Sequence, residues 1–113
     1  MCLFCEIIKG NIPSTLVYED DKTYCFRDIN PVAPTHVLVV PKKHFDNIRD
    51  IATAADGAEY LAACSKAIDE VAKLEGLDSG FRVINNCGED GGQTVMHLHF
   101  HVIGGVKLTE KMI

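Results

Sequence analysis

The sequence predicts an α+β domain: one antiparallel sheet of about five strands with one long and one short helix. Two β-rich runs, 15-TLVYED-20 and 22-KTYCFRD-28, meet at an Asp-Asp turn and read as a hairpin. Leu61, Cys64, Ile68 and Val71 recur at helical spacing, with Lys66, Asp69, Glu70 and Lys73 off that stripe, and mark one long amphipathic helix. Strands in this order around a single long helix indicate an α+β sheet.

The elements follow in chain order. The segment 4-FCEIIKG-10 forms a short helix, with Gly10 placed to end it and Pro13 just beyond. After the hairpin, Pro31 and Pro34 make 29-INPVAPT-35 a loop, and 36-HVLVVP-41 is a short buried strand. Asp46, Ile48 and Ile51 allow a first turn or two of helix. Thr53 with Asp56 three residues later resembles a capping box for the long helix, and Gly76 suits its C′ position. Then 81-FRVINN-86 reads as a strand, 88-GEDGGQT-94 as a glycine-rich loop, and Val95 to Ile103 as the final strand before Gly104 and Gly105. The tail 106-VKLTEKMI-113 has no clear period.

Residues 1–113 make one domain, long enough to bury a core without staples. No apolar run approaches the roughly 20 residues of a membrane span. The start of the chain has no basic region, and Glu6 interrupts it, so the expected location is cytoplasmic. A formal charge of −5 argues against a nucleic-acid surface. A small phosphate ligand would have to be held by local donors. Five cysteines, an odd count, do not suggest a disulfide framework. Cys25, Cys64 and Cys87 read as small buried residues.

The stretch 97-HLHFHV-102 carries the chemistry. On a strand, His97, His99 and His101 share one face, about 6.5–7 Å apart in sequence along it. A three-histidine metal site needs bending or a further ligand, and a satisfied seam suits one histidine better than three. The third reading takes the middle imidazole as a nucleophile toward phosphorus, its other nitrogen held by an acceptor. Gly91 and Gly92 would leave backbone amides approachable beside it, and Gln93 and Thr94 add side-chain donors.

The segment 97-HLHFHVI-103 resembles the His-φ-His-φ-His-φ-φ signature (φ hydrophobic) of the histidine triad family. The stretch 28-DINPVAPTHVLVVPKKH-44 is similar to that family's nucleotide-binding strand and loop, and 86-NCGEDGGQTVMHLHFH-101 to its active-site segment. The likeness runs from Phe4 to Gly105 and is strongest to the phosphoramidase branch. It implies the histidine triad fold, with sheets joined edge to edge across a homodimer at the strand and helix preceding 81-FRVINN-86. It implies His99 as the nucleophile that forms a nucleotidyl-histidine. His101 would contact the scissile phosphate and leaving group, and His36 would join the imidazole network. His97 completes the catalytic triad of the signature. Asn86, Gly92, Gln93 and Thr94 would bind phosphate or leaving group, and Asp28 the ribose hydroxyls. Phe4, Ile7, Phe26, Ile29 and Leu38 would line the base pocket. For these apolar residues core packing is the plainer reading, and Asp28 alternatively caps the following turn. Thr94 departs from the serine common in that branch, and the chain lacks the tryptophan-bearing tail of some relatives.

Cys2-x-x-Cys5 is half of a zinc site. With His44 and His97 it would make a closed Cys2His2 set, and bacterial members of the family resemble this arrangement. The plainer alternative is two reduced thiols on a short helix. Structural Zn2+, and no organic cofactor, is the expectation. The function expected is hydrolysis of purine nucleoside 5′-phosphoramidates. Two alternatives stand beside it: a dinucleoside polyphosphate hydrolase, and a zinc-stabilised nucleotide-binding or scaffold protein.

Overall fold

The computed structural model describes residues 2–113. Its elements are α1 (Leu3–Ile8), β1 (Leu16–Glu19), β2 (Thr23–Arg27), β3 (Thr35–Pro41), α2 (Ile48–Thr53), α3 (Gly57–Leu74), β4 (Arg82–Ile84) and β5 (Phe100–Gly104). The five strands form one antiparallel sheet in the order β1-β2-β3-β5-β4. The expected α+β architecture is present, with two short helices rather than one. Among the described residues no helix is long and apolar enough to cross a membrane.

The turn between β1 and β2 is held by Asp20. Its Oδ1 accepts from the N–H groups of Lys22 and Thr23 and from the Thr23 hydroxyl. This is the local bonding that makes aspartate a turn residue. β3 is buried along its whole length because both of its faces are covered. Period-two alternation sends Val37 and Val39 toward α3, with Cys25, Phe100 and Val102. It sends Leu38 and Val40 to the opposite face, with Phe26, Phe4 and Ile7. His36 and His101 follow the same alternation onto that second face, the one covered by α1. The functional residues therefore gather on the face away from the long helix.

α3 docks through Cys64, Ala67 and Val71, all fully buried. Leu61, expected in that stripe, is 43% exposed. The helix ends in a Schellman motif, Leu77 N–H to Ala72 carbonyl and Gly76 N–H to Lys73 carbonyl, with Gly76 at φ 67°. Its start differs from expectation. Thr53 belongs to α2, whose cap is Asn47, and the Asp56 carboxylate binds Lys43 at 2.6 Å instead of capping α3. A side chain at Gly57 would place its Cβ 1.8 Å from the Ile51 carbonyl oxygen. Only glycine lets α2 and α3 approach so closely.

The final strand is shorter than the sequence suggested. β5 begins at Phe100, and residues 95–97 bend away from the sheet. The last pair of the β3–β5 ladder is Val39 with Phe100. Pro41, further along β3, has no N–H to extend it. Its carbonyl is instead taken by the His97 ring at 2.8 Å, while the Leu98 N–H turns to Phe45 at 2.7 Å. The three histidines thus do not lie on one straight strand. β4 is likewise shorter than expected, Arg82–Ile84 only.

Candidate active site and metal centre

Five imidazoles line one face of the molecule, and their fixed partners determine which nitrogen of each carries the proton. A carbonyl or carboxylate only accepts, and a backbone N–H only donates. His97 has its Nε2 at 2.8 Å from the Pro41 carbonyl, so Nε2 is protonated and Nδ1 carries a lone pair. His99 has its Nδ1 at 2.7 Å from the His97 carbonyl, so Nδ1 is protonated and Nε2 is bare. Among the described residues nothing is hydrogen-bonded to that Nε2. No fully buried side-chain nitrogen or oxygen among them lacks a partner, so the Nε2 of His99 is not sealed from solvent although the residue is 6% exposed.

His36 and His101 form a second chain. The Val32 N–H donates to His36 Nδ1 at 3.1 Å, leaving the His36 proton on Nε2. That Nε2–H donates to His101 Nδ1 at 2.9 Å, so His101 carries its own proton on Nε2. An Asp28 oxygen lies 3.4 Å from His36 Nε2 and shares this proton, while the other Asp28 oxygen accepts from the Asn30 N–H at 2.8 Å. Asp28 thus both caps its turn and joins the imidazole chain.

Asp28, His36 and His101 converge closely enough to suggest a second metal site. The proton pattern opposes it. A cation on His36 Nε2 would need a bare nitrogen there while the Val32 N–H keeps Nδ1 bare as well, so the ring would have to become an imidazolate.

The residues expected to hold zinc do converge. Ligand atoms of Cys2, Cys5, His44 and His97 lie within 4.8 Å of one another. Cys2 Sγ is 3.3 Å from His97 Nδ1, and Cys5 Sγ is 3.5 Å from His44 Nδ1 and 3.6 Å from His97 Nδ1. Tetrahedral Zn–S and Zn–N bonds imply a sulfur–nitrogen separation of about 3.5 Å. Both Nδ1 atoms carry lone pairs, because His97 donates its Nε2–H to Pro41 and His44 donates its own to Asp46 at 2.7 Å. Such outer partners orient imidazole ligands. The donor set fits a tetrahedral divalent ion.

Electrostatics follow burial. Burial pushes His97 down to about 4, only partly offset by the Pro41 carbonyl. Burial, followed by the neighbouring His99 and His36 rings, also pushes His101 down to about 4. His99 is lowered by burial, which the His97 carbonyl opposes. These rings are neutral at pH 7, as a nucleophile and a metal ligand require. Burial raises the Cys5 thiol to about 11, with the Cys2 sulfur adding to it. For Cys2 burial also acts upward, but the Cys5 N–H at 3.3 Å and the neighbouring thiol outweigh it and bring it below the usual range.

The remaining expected residues divide. Phe4, Ile7, Phe26 and Leu38 share one buried cluster, and Phe4 packs edge-on against His99 with ring centroids 5.1 Å apart. Ile29 does not join them and is 91% exposed. The glycine loop is more self-contained than expected. The N–H groups of Gly91, Gly92 and Gln93 donate to Gly88 or Glu89 carbonyls, so they are not available to a ligand. Asn86 and Gln93 brace the loop: Asn86 donates to Gly91, and Gln93 to Asp46 and Val95 while accepting from Gly88. The reason is steric, since a Cβ at Gly91 would meet the Cys87 carbonyl at 2.4 Å and the tight turn closes on itself. Thr94 is exposed in a groove with Cys2, Leu3, His44, Asp46, Val95 and Met96.

Sequence reasoning missed four contributors: the Val32 N–H, the Pro41 carbonyl, Asp46, and Asn85, which donates to the His99 carbonyl at 2.9 Å. Two of these act through backbone atoms and leave no residue-type signal. Asp46, two residues from His44, was the one a search for carboxylate–histidine pairs would have found.

Comparison with known proteins gives a consistent assignment. The HIT domain family model matches residues 9–108. The chain is 48% identical over 104 residues to a 14 kDa zinc-binding protein of Zea mays, covering 91% of this chain and 80% of that protein. It superposes on a HIT family hydrolase from Clostridium thermocellum with a TM-score of 0.93 at 44% identity, covering 99% and 96% of the two chains. It superposes on a histidine triad nucleotide-binding protein from Candida albicans with a TM-score of 0.83 at 34% identity, covering 100% and 86%.

The lowered His101 value fixes a sign for acid stability. Its folded value, about 4, lies below its ordinary 6.5, so the unfolded chain binds the extra proton between them. The stabilisation is complete above about 6.5 and is lost as pH falls toward 4. Urea unfolding across that window should show wild-type stability falling more steeply than that of His101→Asn; parallel slopes would show that His101 is not held neutral.

Proposed function

The chain belongs to the HIT domain, or histidine triad, family, and from that premise we propose that it hydrolyses purine nucleoside 5′-phosphoramidates through a covalent nucleotidyl-His99 intermediate. One observation carries the reading. His99 presents a bare, solvent-facing Nε2 while its Nδ1–H is held at 2.7 Å by a carbonyl. That is the protonation state a nucleophilic imidazole needs.

The bond changes follow from the tautomers. His99 Nε2 attacks phosphorus, forming one P–N bond as the substrate's P–N bond breaks, and the departing amine takes its proton from water on the open side. Because Nδ1 keeps its hydrogen, the ring of the intermediate is cationic, and its charge is stabilised by the His97 carbonyl. A cationic imidazole is a good leaving group, so water displaces it and restores the neutral ring. His101 directs its Nε2–H at the phosphoryl oxygens or leaving group. As a neutral ring in this chain it serves by hydrogen bonding, since giving that proton away would leave an imidazolate. Asp28 takes the ribose hydroxyls, and Phe4, Ile7, Phe26 and Leu38 border the base. Thr94 supplies a hydroxyl toward the phosphate.

We assign zinc to Cys2, Cys5, His44 and His97. Four protein ligands close the tetrahedron, so the ion would supply structural cross-linking of α1 to His97, two residues before the nucleophile. The zinc-binding relative supports the choice of metal. A second copy of the chain would pair along the exposed edge of β4, where Phe81 and Val83 are 39% and 43% exposed. Sedimentation at the mass of a single chain would remove that assembly.

The competing dinucleoside polyphosphate reading uses the same nucleophile and differs in leaving group. The scaffold reading requires no turnover. With an adenosine or guanosine phosphoramidate, His99→Gly should lower kcat by about 10³-fold or more, the scale of losing a nucleophile. Acid-free quenching of wild type should trap one phosphorus-modified histidine per chain, mapped to His99. Undiminished hydrolysis by His99→Gly would overturn the mechanism, and faster cleavage of dinucleoside polyphosphates would reassign the substrate.

A further inference from the structure

We propose that Cys2 and Cys5 form an oxidation site whose closure to a disulfide ejects the metal and unseats the nucleophile, making the phosphoryl-transfer site peroxide-sensitive. The inference rests on the zinc and His99 assignments above and extends them to regulation. Its basis is a shared residue. His97 offers its side-chain Nδ1 to the cysteine sulfurs and its backbone carbonyl to the His99 Nδ1–H. A second route runs through α1. Phe4 lies between the two cysteines in sequence and packs edge-on against both His97 and His99, at centroid distances of 5.9 and 5.1 Å. Among the described residues only these two sulfurs join α1 and its cap to His44 and His97 through polar atoms.

The site is open to a small oxidant. Cys2 and Cys5 are each only half-buried, and Cys2 and His44 line an open groove with Leu3, Asp46, Thr94, Val95 and Met96. The two sulfurs are within 4.8 Å of each other before any movement. Forming the roughly 2.05 Å bond needs a modest approach within one helical turn. Reaction is also selective. Cys25 and Cys64 are fully buried, and burial pushes both thiols up to about 12.

Atoms and electrons balance with hydrogen peroxide as oxidant. One thiolate attacks a peroxide oxygen and expels hydroxide, giving a sulfenic acid. The second thiolate attacks that sulfur, forming the S–S bond and expelling a second hydroxide. Two electrons pass from the sulfurs to peroxide, and Cys2 and Cys5 would no longer be available as anionic ligands to a bound metal. The two neutral imidazoles that remain hold a divalent ion weakly, so His97 and Phe4 are freed from the cross-link. Cys2, Cys5 and His44 are positioning residues in this scheme, since they reach the reaction only through His97 and α1.

The test treats zinc-loaded, full-length protein with hydrogen peroxide in the presence of a chromogenic zinc indicator. The expected result is release of one zinc per chain in step with a Cys2–Cys5 disulfide found by peptide mapping. The 15N signal of the His99 Nδ1–H should shift or broaden at the same rate, and kcat should fall by about 10- to 100-fold, as for loss of an outer-sphere partner. Dithiothreitol with added zinc should restore all four readouts, and Cys87→Ser should respond like wild type. Metal release with an unchanged His99 signal would overturn the proposal, as would a disulfide involving Cys87 or no zinc release. Should untreated protein show no phosphoramidate turnover while zinc, disulfide and His99 signals respond as expected, the substrate reading fails and the switch stands.

Discussion

The hydrogen bond from the Nδ1–H of His99 to the carbonyl of His97, 2.7 Å long, is the constraint around which the site is arranged. It makes the other nitrogen of His99 bare, and it works only because the chain bends at His97. The bend has a cause elsewhere. Pro41 cannot extend the β3–β5 ladder, and its free carbonyl captures the His97 ring. A single proline thus helps to set the geometry of a residue 58 positions away in sequence. Peeling the chain away from the sheet turns the first histidine of the triad toward the cysteines and leaves His99 and His101 side by side, with ring centroids 5.1 Å apart.

Neutrality is the second theme. Burial disfavours charge on His97, His99 and His101, and neighbouring rings add to that for His97 and His101. A row of imidazoles can be packed this way only if every proton has an acceptor. Apart from the Nε2–H of the half-buried His101, which is left for a ligand, the chain Val32 N–H to His36, His36 to His101, and His99 to the His97 carbonyl meets that condition without charging any ring. The same accounting distinguishes the two clusters of potential metal ligands. Cys2, Cys5, His44 and His97 present two sulfurs and two lone pairs, whereas His36 has already committed both of its nitrogens.

Much of this was legible in the sequence, in proportion to how far each feature rests on side-chain type. The hairpin was readable from Asp20 and its β-branched neighbours, and the end of α3 from Gly76. The Cys2His2 set was readable because thiol and imidazole are rare enough for spacing to be informative. What escaped depends on backbone atoms or on approach distances. Residues 95–97 have strand-like composition, but hydrogen bonds to Pro41 and Phe45 draw that segment off the sheet. Gly91 and Gly92 were expected to offer amides to phosphate, yet their turn consumes those amides internally. The close approach at Gly57, where a Cβ would meet the Ile51 carbonyl oxygen at 1.8 Å, leaves no pattern in the sequence. Ile29 matched the base-pocket pattern by position but lies out in solvent.

The central claim is a specific distribution of protons over five imidazoles, and long-range 1H–15N correlation on histidine-labelled, zinc-loaded protein near pH 7 reads it directly. The predicted result is His99 protonated at Nδ1 and bare at Nε2. His36 and His101 should be protonated at Nε2, and His44 and His97 at Nε2 with metal-shifted Nδ1 signals. A spectrum in which His99 carries its proton on Nε2 would contradict the account, since that nitrogen could not then attack phosphorus.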